Sequence, residues 1–311
     1  MSIQEFMIPL LAAAVIAGTP ILFAALGELI TERAGIINLG VEGIMLMGAV
    51  TGFMAAVTTS NPWIGLLAAM FAGGALALVH AFLTITLRAN QVVTGLALTI
   101  FGTGFSGYLG KAYVGIPVPK AFVPTPLGPL ADIPFIGPIF FQHDVLVYIS
   151  YVLVFVIWYF LQHTSPGLNL RALGENPAAM DALGINVFRL RYIYVVIGGM
   201  LGGVGGAYLS LAYAPSWLEN MTAGRGWIAV ALVIFALWNP WRAIMGAYLF
   251  GGIDALGFRL QVLGLHSVSP FFLKMLPYLF TVIILVLVVA FKKGRLATPG
   301  ALGLPYDREE R

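Results

Sequence analysis

Apolar residues gather into nine stretches, over about 7–27, 40–59, 62–87, 91–110, 145–162, 192–213, 227–239, 242–258 and 275–291, with polar residues between them. Several reach the roughly 20 residues that an α-helix needs to cross a hydrocarbon core. The pattern predicts an all-α, polytopic transmembrane bundle of about nine spans, built as one domain over 1–311. The seventh and eighth stretches are short, and Asn239-Pro240-Trp241-Arg242 separates them. Such segments are either half-helices lining a pathway or tilted spans joined by a tight turn. Val92 to Gly110 and Ile228 to Gly251 each open with apolar helix after a Gly- or Asn-marked turn and run on into Gly-rich sequence. They read as distant copies of one unit, and so as two pseudo-related halves.

Composition agrees with the pattern. Of the 311 residues, 60% are hydrophobic and 9% charged, against roughly 25% charged in soluble domains. Lipid is the solvent that tolerates this much apolar side chain. Cysteine is absent, which excludes disulfides and thiolate metal sites; no metal site is expected. Met1 to Phe6 carries Glu5 and no basic residue, so no cleavable signal peptide is read and the first stretch is a true span. Charge distribution sets the orientation. Arg33, Arg88, Arg171, Arg189, Arg191, Arg242, Lys292, Lys293, Arg295, Arg308 and Arg311 fall in one set of loops; Lys111, Lys120, Arg225, Arg259 and Lys274 fall in the other. Eleven against five places the first set in the cytoplasm, with the C-terminal tail 292–311 inside and the N-terminus outside. The Pro-rich loop 111–144 is then external, either shaping the outer mouth or a docking surface for an external protein, or serving as an inert ordered connector.

The loop 163–191 reads HTSPGLNLRALGENPAAMDALGINVFRLR and is far less hydrophobic than its flanks. Asn176-Pro177 is a helix start, because Asn accepts from the free N–H groups of the first turn and Pro suits the first helical position. Ala178 to Leu183 favour helix, and Gly184 supplies a stop with φ > 0. A helix of about two turns, capped at both ends, is predicted on the cytoplasmic face. The run from Gly174 to Ile185, GENPAAMDALGI, resembles the coupling-helix motif of ABC importer permeases, in the variant of the ribose-type and nucleoside-type branch. In that family the helix sits in a cleft of the ATP-hydrolysing subunit and passes its movement to the membrane helices. The resemblance implies that role for Gly174, Glu175, Asn176, Pro177, Ala179, Asp181, Gly184 and Ile185.

Three further stretches carry the same resemblance: Leu26 to Gly43 (LGELITERAGIINLGVEG), Asn90 to Gly95 (NQVVTG) and Gly224 to Ala229 (GRGWIA). Together they cover about 20–290 and are most similar to the smaller permease of systems that import nucleosides through a membrane-anchored lipoprotein receptor. The resemblance implies a multi-pass protein of the bacterial cytoplasmic membrane. It also implies a separate ATP-binding subunit that holds ATP and Mg, an external substrate-binding lipoprotein, and a second permease subunit, either a larger relative or another copy. No cofactor in this chain and no nucleic-acid partner are expected. A simple sugar such as ribose is the alternative cargo.

Polar groups inside a membrane are candidates for function. Asn38 and Glu42, four apart, would share a helix face at the inner gate or substrate path; otherwise the segment is an interfacial helix whose Glu28, Glu32 and Arg33 face water and headgroups. Asn90, Gln91 and Thr94 open the fourth span, and their side chains either read a hydroxyl or base edge or serve as cap and interhelical bonds. Arg225 stands at the outer mouth beside Gly224 and Gly226. Among the aromatic side chains, Phe101, Phe105, Trp227 and Phe235 could stack on a ring-bearing ligand, or simply pack. The substrate path is accordingly placed at Asn38, Glu42, Gln91, Thr94, Phe101, Arg225 and Trp227. Asp254 is a satisfied structural acid with Arg259 as a poorly aligned neighbour, and His80 is a hydrogen-bonded core residue.

Other functions fit less well. No G-x-x-x-x-G-K-[ST] loop is present; Lys111 follows Gly110, but no Gly stands at position 105. An ion-driven transporter wants several buried acids, and Glu42 and Asp254 are few. No H-E-x-x-H, G-x-S-x-G or paired carboxylates mark an enzyme.

Overall fold

The computed structural model describes residues 3–262, seven positions between 275 and 286, and 298–308. The ninth apolar stretch therefore lies largely outside the described residues, as do Lys274, Lys292, Lys293, Arg295 and Arg311. Among the described residues the chain forms α-helices and no strand. They are α1 (Ile3–Arg33), α2 (Val41–Thr59), α3 (Pro62–Ala81), α4 (Gln91–Gly110), α5 (Ile136–Phe140), α6 (Val145–His163), α7 (Ser165–Glu175), α8 (Pro177–Ala182), α9 (Val187–Tyr208), α10 (Arg225–Ala236) and α11 (Pro240–Val262). Seven of them, counting the π-turns that continue α3 and α9, are long and apolar enough to cross a membrane.

The helix starts reflect local chemistry. Asn61, Asn90, Asp144, Thr164, Asn176 and Asn186 each accept a first-turn N–H at an N-cap. Two sharp stops use left-handed backbone: Ser60 after α2 and Leu237-Trp238 between α10 and α11. Of the two readings for the short stretches, the structure takes one for each. α10 has 12 residues, about 18 Å of helix, and is a half-helix. α11 has 23 and is a full span, reached through a tight turn.

The two candidate copies share a lead-in. α3 passes into a π-turn at Phe82–Thr86 before α4, and α9 passes into one at Leu209–Tyr213 before α10. Beyond the π-turn the copies diverge. α4 runs 20 residues without a break, whereas Ile228 to Gly251 contains the end of α10, a turn and the start of α11.

Helix α9 is the centre of the bundle and packs on α1, α2 and α3. With lipid outside there is little hydrophobic drive between helices, so close contact depends on small residues. A Cβ at Gly206 would overlap the Met45 carbonyl of α2, one at Gly203 the Ala69 carbonyl of α3, and one at Gly198 the Thr31 hydroxyl of α1.

The described loops sort by charge. The end of α1 meets the α10–α11 turn, where an Arg33 Nη donates to the Trp238 carbonyl at 3.3 Å. The same end holds α7, α8, the α3–α4 link with Arg88, and residues 298–308. We call it the basic end. At the other end Arg259 donates to the Phe6 carbonyl at 3.0 Å, and residues 111–144 cover the start of α3. Arg225 departs from its expected place in an external loop. It is part-buried inside the bundle, 2.9 Å from Asp254 of α11.

Gly206→Val should overpack α9 against α2. Such insertions cost typically about 1–3 kcal/mol, and here the obstacle is backbone. The variant is expected to lose most folded protein in detergent, read by thermal aggregation. Gly104→Ala, where nothing among the described residues lies within 4 Å of the new Cβ, should keep wild-type stability; equal behaviour of the two variants would refute close packing at Gly206.

Candidate functional site

Two irregular segments interrupt the bundle at depth. The first, 34–40, joins α1 to α2 and turns back along α1, so that the Asn38 N–H reaches the Glu28 carboxylate at 2.9 Å. Its backbone is held by side chains from several helices. The Ile37 N–H donates to Gln91 Oε1 of α4 at 2.7 Å, and the Ile37 carbonyl lies 2.9 Å from His80 Nε2 of α3. Thr99 donates to the Leu39 carbonyl at 2.9 Å, and Arg191 Nε of α9 to the Ala34 carbonyl at 3.2 Å. Gly40 N–H donates to Asn38 Oδ1 at 3.0 Å.

The second break, 214–224, lies between α9 and the half-helix α10. Glu42, in the first turn of α2, holds it. One carboxylate oxygen accepts from the Thr222 hydroxyl at 2.6 Å and the Gly224 N–H at 2.7 Å; the other accepts from the Gly226 N–H at 2.6 Å. A carboxylate thus sits on the positive N-terminal end of α10. The approach is close enough that a Cβ at Gly226 would stand 2.5 Å from the Glu42 Cα. Beside it the Arg225 guanidinium pairs with Asp254 at 2.9 Å and lies 5.6 Å over the Tyr213 ring.

The predicted pathway residues therefore divide. Asn38 and Gln91 meet at the first break; Glu42 and Arg225 meet at the second, with half-buried Trp227 in the first turn of α10. Thr94 is buried on α4. Phe101 faces away from the bundle in a stack, 5.3 Å from Phe105, which lies 6.4 Å from Tyr108. Phe235 packs on the core. Asn90 is the cap of α4 and accepts from the Val93 N–H at 3.0 Å.

Several expectations change. Asn38 precedes the helix, which begins at Val41, so it shares no helical face with Glu42. Asp254 is satisfied by Arg225 and not by Arg259. Glu28 and Glu32 do not face water; each is 2% exposed. Glu32 accepts from the Trp238 indole N–H at 2.6 Å, a partner that sequence reasoning misses. The available signal is two acids four apart at the end of an apolar run, which on one helix face must meet donors if buried.

The surface helix α8 forms as expected. Asn176 accepts from Ala179 N–H at 3.0 Å, Pro177 opens the helix, and Gly184 ends the turn at φ +79°. Met180 anchors it inward, while Glu175, Ala179 and Leu183 are exposed, Leu183 to 76%. Asp181 faces the tail, where its carboxylate pushes the Arg308 guanidinium pKa up by hydrogen bond and charge.

Residues 10–291 match the family described as branched-chain amino acid transport system / permease component. The chain belongs to this permease family. It is 43% identical over 98% of its length to a putative glucose ABC transporter permease protein of Haloferax volcanii, matching 99% of that protein. It is 34% identical to the guanosine ABC transporter permease protein of Bacillus subtilis, over 100% of both chains. Against the nucleoside ABC transporter permease protein of Lactococcus lactis subsp. cremoris it is 35% identical over 97% of both. Among solved structures, an inward-facing putative metal-chelate type ABC transporter has the same fold, with a TM-score of 0.51 at 14% identity, over 91% of this chain and 85% of that one. The protein is a multi-pass, non-catalytic permease component of an ABC transporter.

In this permease, Gln91→Leu leaves the Ile37 N–H unpaired, and Glu42→Gln turns one of its two acceptor oxygens into an NH2 that must face a donor. Each should cost about 1–3 kcal/mol, seen as a lower melting temperature in detergent together with reduced uptake in vesicles. Wild-type melting in both variants would show that these side chains do not hold the breaks.

Proposed function

We propose that the permease forms the membrane path of an ATP-driven importer for a neutral nucleoside. A separate ATP-hydrolysing subunit grips α8, and a substrate-binding lipoprotein delivers cargo at the opposite end. A second permease subunit completes the path. The observation that carries the reading is the helix α8, capped at both ends and presenting Leu183 outward, on the same end of the bundle as the loop that feeds the first break. Tail residue Ala301 bonds Gly174 just before α8 and Gly303 bonds Gly35 of the first break, so a displacement of α8 has a route toward that backbone.

Two considerations favour a nucleoside. The Bacillus and Lactococcus relatives, named for guanosine and nucleoside, match the chain over nearly its whole length. A base also adds an aromatic face to a polyhydroxylated ribose, and α4 offers the ring stack of Phe101, Phe105 and Tyr108, exposed among the described residues. The Haloferax relative, named as a putative glucose permease, favours a second reading, a simple sugar.

In the complex reconstituted with its ATPase and binding protein, nucleosides should stimulate ATP hydrolysis at micromolar concentration, while glucose and ribose leave it at the basal rate. Stimulation by a sugar alone would replace the first reading by the second.

The excess of Lys and Arg supports placing the basic end in the cytoplasm. With no native cysteine to remove, single substitutions test this directly. Asp132→Cys and Asn186→Cys are both at exposed positions, one in the Pro-rich loop and one after α8. The first should react with an impermeant thiol reagent on intact cells and the second after permeabilisation; the opposite pattern reverses the orientation.

A further inference from the structure

Residues 298–308 lie across the basic end and bond to α7, α8, the first break and the α3–α4 link. Ala301 N–H donates to the Gly174 carbonyl at 2.8 Å, and Gly300 N–H to the Glu175 carboxylate at 3.2 Å. Gly303 N–H donates to the Gly35 carbonyl of the first break at 3.1 Å. Farther on, alternate side chains part company. The Tyr306 hydroxyl donates to Asp181 Oδ2 at 3.0 Å, and Arg308 places Nε and Nη2 on Asp181 Oδ1 at 3.1 and 2.5 Å. Asp307, between them, pairs instead with Arg88 on the link from α3 to α4. Tyr306 and Arg308 also sit 5.8 and 5.9 Å from the Phe188 ring at the start of α9.

An element that transmits a push needs such ties. α8 has six residues, too short to hold itself as an isolated helix. Among the described residues nothing lies within 4 Å of a Cβ at Gly184 in the turn after it. Its chain ends and the buried Met180 hold α8 to the bundle by covalent and apolar contact, and directed hydrogen bonds add to that hold. Here the tail connects α8 through Asp181 to the Gly35 carbonyl and to Arg88. Gly35 lies two residues before Ile37, which Gln91 clamps, and Arg88 lies three residues before Gln91 itself.

We infer that residues 298–308 are positioning residues for coupling: they make α8, the first break and the start of α4 move as one body when α8 is displaced. The inference rests on the reading of α8 as the element gripped by the ATPase.

The Arg88–Asp307 pair gives a direct test, because it ties the tail to the α3–α4 link. Asp307→Arg and Arg88→Asp break it, and the double variant R88D/D307R restores it with the charges exchanged. Arg88 stands at φ 55°, a conformation Asp tolerates. The complete complex is reconstituted, and substrate moved per ATP hydrolysed is measured. An Ala182→Cys crosslink from α8 to the ATPase is followed in parallel. Each single variant should lower the ratio by about threefold, the scale of one half-exposed ion pair, with the crosslink intact, and the exchanged pair should recover it. D307N should fall between wild type and D307R. A wild-type ratio in both reversals, or a low ratio in the exchanged pair with normal crosslinking, overturns the tail's role alone. If the reversals fail to accumulate, a wild-type ratio in D307N overturns it. Absence of the crosslink in the otherwise unsubstituted chain overturns the docking of α8, and the tail's role with it.

Discussion

A peptide group inside a bilayer has no water to bond, so every break in a helix must find its partners in protein. That constraint governs this permease. The segment 34–40 survives because α1, α3, α4 and α9 each send a side chain to its backbone, through Glu28, His80, Thr99 with Gln91, and Arg191. All these helices are thereby registered on one short segment. Loss of one partner would expose a buried amide or carbonyl, and the residues that serve it are accordingly polar in otherwise apolar helices.

The second break is satisfied from the first. Glu42 comes directly after the irregular segment, and its carboxylate carries the three donors at the head of α10. The half-helix then runs to the basic end, where Trp238 returns to Glu32 of α1. The two breaks and the ends of α1 and α10 form a closed polar circuit inside the bundle. Its members have little independent freedom, which suits a device in which a push at one end must be felt at depth.

Between these polar points the helices approach through glycine. α9 brings its small residues against backbone of α1, α2 and α3, so the centre of the bundle is packed backbone on backbone. α4 differs. It packs chiefly on α2 and, among the described residues, keeps an exposed apolar, aromatic face. The rigid part and the open part of the protein thus fall on different helices.

The length of the apolar stretches by itself determined the described helical spans, because lipid selects for length and hydropathy and both are written locally. The capped helix α8 was equally legible: Asn176, Pro177 and Gly184 act on backbone within a few residues of themselves. The shortness of the stretch from 227 left a half-helix and a tilted span equally open and said nothing of which neighbour would cap it. Only tertiary structure decided that Glu42, some 180 positions away, would do so. Glu28 and Glu32 look in sequence like interfacial acids, and their burial depends on where 34–40 and Trp238 fold back. Arg225 likewise belongs to a loop by sequence and to the interior by structure, because Asp254 lies on a helix that only packing brings near. The tail 298–308 has no periodicity and no cap signature. Its role at the basic end comes from partners spread from Gly35 to Phe188, and long-range hydrogen bonds leave no local mark in a sequence.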